Sequence, residues 1–232
     1  MKIFEVSGMG GVGKTGLTRL ITSNLEHHGI KVMLAKDVNM DRILKLLVAS
    51  KNIHLFIYLF YLIIRSRQKT RNDFWFCYKV LVLYILRFKY INRYKNKIVT
   101  NCDVVLFDEG LFNRLLSISS SARYNRYVET NVENIIKLLK FNTKLIFLDA
   151  DFNVIYQRRL MRSQKNRLER CHLSSEEYFC RLNNIYASKN TIRDIFSKIN
   201  LILVQVDTKD ESFADVAELV KGHILNDSKC DQ

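Results

Sequence analysis

Short apolar runs alternate along the chain with longer stretches of three-to-four-residue apolar spacing, a pattern that predicts a parallel sheet with helices on both faces. The runs Lys2 to Ser7, Lys31 to Lys36, Asp103 to Phe107, Lys144 to Asp149 and Leu201 to Val206 read as strands. Helical spacing covers Lys14 to His28, parts of Asp41 to Tyr94, Tyr124 to Phe141, Asn153 to Arg162, Ser174 to Asn200 and Phe213 to Leu225. Gly29 is expected to close the first helix, because glycine adopts the left-handed conformation a C-terminal cap requires. Ser174 and Glu177 stand three apart, the spacing of a capping box. No proline, no Gly- or Ser-rich stretch and no repeat interrupts the 232 residues. One α/β domain over 1–232 is therefore expected.

Two runs are more apolar than the rest, IHLFIYLFYLII at 53–64 and VLVLYILRFKYI at 80–91. A spanning helix needs about 20 apolar residues, so both are expected to form a buried helical hairpin within an insertion over 41–100. The basic, aromatic-rich stretch Arg65 to Tyr78 between them suits a membrane surface, which makes 53–97 a candidate for peripheral membrane contact.

Charge adds a preference of sign. The chain carries 37 Lys and Arg against 23 Asp and Glu, a net +14, and a pI near 9.6. Such a field favours anionic partners without choosing among nucleotides, nucleic acid and acidic lipid. The excess concentrates between Arg65 and Lys97 and between Arg158 and Arg170, and the density of the second zone also suits an RNA-binding patch, though no firm sign of nucleic acid accompanies it. The five cysteines, Cys77, Cys102, Cys171, Cys180 and Cys230, lack metal-type spacing. With an N-terminus that enters the first strand at once, they point to a reduced, cytoplasmic setting.

Three segments carry candidate chemistry. Gly8-Met9-Gly10-Gly11-Val12-Gly13-Lys14-Thr15 fits G-x-x-x-x-G-K-[ST], after a predicted strand and at a predicted helix start. In such a loop, backbone N–H groups close around phosphate oxygens and the helix N-terminus adds its positive end. The expected ligand is ATP with Mg²⁺, bound by Gly8, Gly10, Gly11, Val12, Gly13, Lys14, Thr15 and Gly16. Lys14 would neutralise phosphate and the Thr15 hydroxyl would reach the metal. The second segment is the apolar strand ending in Asp108-Glu109-Gly110; either carboxylate can serve Mg²⁺ or accept a proton. The third is the run Gln157 to Arg170, whose Arg158 and Arg162, four apart, share a helix face. Guanidinium groups there can clamp a transferring phosphoryl group.

The order of these segments resembles the thymidylate kinase family of P-loop kinases: glycine loop, strand ending at Asp108, strand ending Leu148-Asp149-Ala150, Arg-x-x-x-Arg helix, Asn166-Arg167-Leu168-Glu169. The resemblance implies a P-loop NTPase fold with a five-stranded parallel sheet and transfer of the γ-phosphoryl group of Mg-ATP. It implies a catalytic carboxylate at Asp108, an arginine lid over 158–172 with Arg158, Arg162 and Arg167, and an adenine-side loop at Asp207. A homodimer through helices is a further implication. The chain departs from the family on the acceptor side. Gly10 replaces an acidic residue, Asp108-Glu109-Gly110 replaces D-R-[YFH], and Ala35-Lys36-Asp37-Val38-Asn39 replaces R-E-P-G. The small-molecule acceptor is accordingly open among nucleosides, nucleoside monophosphates, sugars and lipid-linked glycans. The glycine loop also resembles that of NB-ARC-type switch ATPases, which would hydrolyse ATP without an acceptor; a nucleotide-retaining binding protein is the third expectation.

Overall fold

The computed structural model describes residues 1–38, 41–65, 71–94, 102–108, 110–119, 125–139, 143–166, 174–207 and 212–229. Five strands form one parallel sheet: β1 (Lys2–Gly8), β2 (Val32–Leu34), β3 (Val104–Phe107), β4 (Lys144–Asp149) and β5 (Ile202–Asp207). Their order across the sheet is β2-β3-β1-β4-β5. The second strand is shorter than the sequence predicts. It gives way at Ala35–Asp37 to a 3₁₀ turn, so Lys36 and Asp37 leave the sheet for solvent at its C-terminal edge.

The helices are α1 (Lys14–His27), α2 (Arg42–Lys51), α3 (Ile53–Arg65), α4 (Arg71–Arg93), α5 (Leu111–Ser119), α6 (Asn125–Leu139), α7 (Phe152–Asn166), α8 (Ser175–Lys198) and α9 (Phe213–Lys229). The helices pack in two groups, α1 with α9, and α4, α5, α6 and α8 among themselves. The expected hairpin between β2 and β3 is three helices rather than two.

Their termini follow from local chemistry. Gly29, at φ 76°, ends α1, with Ile30 N–H donating to Leu25 O and Gly29 N–H to Glu26 O. These are the two bonds of a Schellman cap. Asn200, at φ 53°, closes α8 in the same way. The capping box of α8 is present, with Ser174 accepting from Glu177 N–H and the Glu177 carboxylate accepting from Ser174 N–H.

α5 is the element the sequence reading lacks. Leu111, Phe112, Leu115 and Leu116 are all buried, and Phe112 packs edge-on against Phe147 of β4 at 5.0 Å and Phe196 of α8 at 5.6 Å. Burying such a ring contributes about 1.5–3 kcal/mol, which holds three elements behind the end of β3. Among the described residues no helix is long and apolar enough to cross a membrane.

Candidate functional site

In an open parallel sheet the ligand crevice lies outside the strand C-termini, where the strand order reverses. Here the reversal falls at β1, between β3 and β4, and the glycine loop grows from β1 at that point. Gly8, Gly11 and Gly13 adopt positive φ of 138°, 106° and 101°, conformations that side chains strain to reach. Gly8 also lies so close to Leu148 O that a Cβ has no room. Met9 and Val12 are buried and pin the loop to the core, while Gly10, Thr15 and Gly16 face solvent. Lys14 folds back over this loop, its ammonium donating to Gly8 O and Met9 O at 3.0 Å each. The result is a concave run of glycine backbone at the N-terminus of α1 with a cation beside it, which fits a polyphosphate.

α7 supplies two more cations. Arg158 Nη1 lies 3.5 Å from Gly11 O. A Cβ on Gly10 would stand 3.0 Å from the Arg159 guanidinium, and one on Gly11 would stand 3.3 Å from Arg159 Cγ. Arg159 therefore lies along the loop itself, with Gly10 and Gly11 giving it room. In sequence, Arg159 is one member of the basic cluster with no role of its own, because its glycine partners are far away in the chain and give no local signal. Arg162 belongs to the same helix, but its side chain, like Arg167 and Glu109, lies outside the described residues.

Asp108 follows the last residue of β3 and is half-buried at the same edge. Its loop is held by a residue that sequence reasoning missed. Glu5, fully buried in β1, accepts hydrogen bonds from Leu111 N–H (2.9 Å), Phe112 N–H (3.1 Å), Ser7 Oγ (2.5 Å) and Tyr84 Oη (3.4 Å). A carboxylate at the first turn of α5 satisfies two N–H groups that have no partner within the helix. Burial raises the Glu5 carboxyl above its ordinary 4.5, and the four hydrogen bonds pull the other way. Burial, and after it the neighbouring Glu5 charge, raises the Tyr84 hydroxyl well above its ordinary value. Gly110 is required here, since a Cβ would overlap the Glu5 carboxylate.

On the far side of the loop, Asp149 ends β4 with Asp207 of β5 as its register partner. Asp149 Oδ1 receives Lys189 Nζ at 2.5 Å, and its Oδ2 receives Arg193 at 3.4 Å. Lys189 is fully buried and sits 3.8 Å from the Tyr186 ring centroid; burial lowers its pKa against the attraction of Asp149. Lys189 and Arg193, one turn apart on α8, tie that helix to the strand end from which α7 begins. Tyr186 adds a bond from its hydroxyl to Ala150 O at 3.5 Å. Asp207 is exposed at the outer end of the crevice.

Among the described residues no three His, Cys, Asp or Glu side chains gather into a metal cluster. Mg²⁺ needs no such cage, because it keeps several waters and takes one or two protein ligands together with phosphate oxygens. Thr15 lies in the first turn of α1, which follows β1, and Asp108 follows β3, the strand paired with β1.

No family model matches the chain, and no curated protein matches it. Solved structures resemble it. Deoxyadenosine kinase from M. mycoides with bound dCTP is 14% identical over 97% of this chain and 100% of that one, with a TM-score of 0.45. The same enzyme with bound dATP gives 15%, 97%, 99% and 0.45. With products dCMP and a flexible dCDP bound it gives 12%, 97%, 99% and 0.41.

Proposed function

We propose that the chain is a kinase that transfers the γ-phosphoryl group of Mg-ATP to a small acceptor of the nucleoside or nucleoside monophosphate class. The observation that carries this reading is the meeting of Lys14 from α1 and Arg158 and Arg159 from α7 on one positive-φ glycine loop. A loop that only turned the chain would have no use for three cations drawn from two separate elements.

Each group has a physical task. Gly8 to Gly13 present backbone N–H groups to phosphate oxygens, and Lys14 offsets their charge. Arg158 and Arg159 lie where charge spreads over a transferring group, and fixed guanidinium donors lower the barrier most when water is excluded. Thr15 and Asp108 would hold Mg²⁺, which draws off charge from the phosphate oxygens when bound. Asp108, at the end of β3, would orient an acceptor hydroxyl or take its proton. Arg162, Arg167 and Glu109 join this assignment on their position in the sequence alone, and Asp207, which ends β5, on the family resemblance that implies an adenine-side loop there.

The test is to incubate the purified chain with Mg-ATP and a panel of nucleosides, monophosphates, sugars and lipid-linked glycans. A phosphorylated nucleoside or monophosphate is expected. Inorganic phosphate alone across the panel would instead identify a switch ATPase. Lys14→Ala should abolish transfer, and Arg159→Ala should lower kcat by about 10²-fold, the cost of losing one transition-state donor. Full activity in Lys14→Ala overturns the assignment.

A further inference from the structure

The charge of this protein is not spread over its surface. Between Arg42 and Lys97 stand thirteen Lys and Arg and a single acid, Asp73, leaving twenty-four against twenty-two in all the rest of the chain. The kinase-like body is close to neutral, and the insertion carries nearly the whole net charge.

The same insertion holds apolar side chains outward. Of thirteen exposed large hydrophobics among the described residues, seven lie on α2 and α3. Ile43, Leu46 and Leu47 follow i, i+3, i+4 spacing on α2; Ile53, Ile57, Tyr61 and Ile64 form one stripe on α3. Ile43 and Leu46 are each 70% exposed and Ile57 is 64% exposed, while Val48, Leu55 and Leu59 on the inward faces are 1% exposed. Val48, Leu55 and Leu59 hold these helices to the core, and the outward stripes lie on the side away from it.

Beside the stripes lies a cleft of about 480 Å³ lined by Lys51, Asn52, Lys89, Asn92, Arg93 and apolar Val48 and Leu139. α4 ends here on its way into β3, and α6 on its way into β4, so the cleft belongs to the N-terminal edge of the sheet. The glycine loop is at the opposite edge. Asn52 lines the cleft and Ile53, the next residue, begins the outward stripe, so cationic cleft and apolar face are continuous.

We propose that the α2–α3 face docks on an anionic lipid bilayer, with the cleft receiving the headgroup of an acidic phospholipid. Charge complementarity selects this occupant. A second copy brought face to face would set one strongly cationic insertion against another, whereas an anionic surface attracts it by about 1 kcal/mol per Lys or Arg near the interface. The outward isoleucines enter the headgroup boundary as an interfacial helix does, without spanning it.

The test sediments the full chain with phosphatidylcholine vesicles and with vesicles that also contain phosphatidylserine. Binding to the anionic vesicles alone is expected, weakening as salt is raised. Ile53→Asp with Ile57→Asp, and separately Lys51→Glu with Arg93→Glu, should each weaken binding by at least about tenfold, equivalent to 1.4 kcal/mol. All four residues are exposed or at the cleft rim, and an unchanged thermal midpoint confirms that each variant folds. Several outcomes overturn the proposal: equal binding to neutral vesicles, binding that survives both variants, or uptake of inorganic phosphate without vesicles that Lys51→Glu with Arg93→Glu abolishes and Lys14→Ala does not. So does a lipid-free dimer that the isoleucine variant breaks, or capture of RNA in place of vesicles.

Discussion

Glu5 shows how one residue can connect the core to the site without touching a ligand. Four donors converge on its carboxylate, and a carboxylate can only accept. In Glu5→Gln one oxygen becomes an NH₂ that faces a fixed backbone N–H, and the orphaned donor should cost about 1–3 kcal/mol in denaturant unfolding. The pH dependence has a definite sign. Burial raises the folded-state pKa above 4.5, so from that pH upward the folded state holds more proton than the unfolded one. Stability then falls as pH rises through the window between the two pKa values. Gln titrates nothing there, so the advantage of wild type over Glu5→Gln should shrink from pH 4.5 toward neutrality. An advantage that grows with pH would count against the assignment. Gly110→Ala tests the same junction from the other side. Overlap with the Glu5 carboxylate should cost about 1–3 kcal/mol and disturb the Asp108 loop, lowering transfer activity more than binding of nucleotide. None of this was legible beforehand: a glutamate in an apolar strand reads as an outward-facing residue until the partner helix is known.

At the scale of elements, caps were the most legible features and buried amphipathic pieces the least. Gly29 and the Ser174–Glu177 pair carry local signals, and both caps formed as their sequences dictate. Ser174→Ala should therefore destabilise α8 by about 1 kcal/mol, measured as a shift in denaturation midpoint at unchanged slope. A loss below a few tenths would mean the helix end is held by packing alone. α5 escaped notice because it has no side-chain cap of its own: Glu5, more than a hundred residues earlier, caps it, and its serine-rich end resembles a loop. The shortening of β2 has a related cause. Ala35 and Val38 stay buried while Lys36 and Asp37 turn outward, and the run of apolar residues cannot reveal that turn. The arginine helix was legible as a cluster, but the arginine beside Gly10 and Gly11 was not, because helix phase is fixed by tertiary contacts.

Across the whole molecule, the parallel sheet and its five strands follow from periodicity, since each apolar run is bounded by a glycine or a carboxylate, whereas the strand order that sets the loop at the reversal point needs the tertiary structure. So does the division of labour between the two sheet edges, because a sequence gives no distances between α2, α4 and α6. The same separation shapes the last prediction. A ligand that binds only the folded state stabilises it by RT ln(1 + [L]/Kd), about 2.7 kcal/mol at a hundredfold excess over Kd. For a chain of this length each kcal/mol raises Tm by about 2–4 °C. Mg-ATP at that excess should thus raise Tm by roughly 5–10 °C. Chelation of Mg²⁺ should reduce the shift, since Thr15 and Asp108 would then face uncompensated phosphate charge. Lys14→Ala should remove most of it, because its ammonium lies on the glycine loop, bonded to Gly8 O and Met9 O. Ile53→Asp with Ile57→Asp should leave the shift unchanged, because α3 has no part in the glycine loop and sites that share no partners contribute independently. A shift lost in the isoleucine variant and kept in Lys14→Ala would place the nucleotide at the insertion and not at the glycine loop.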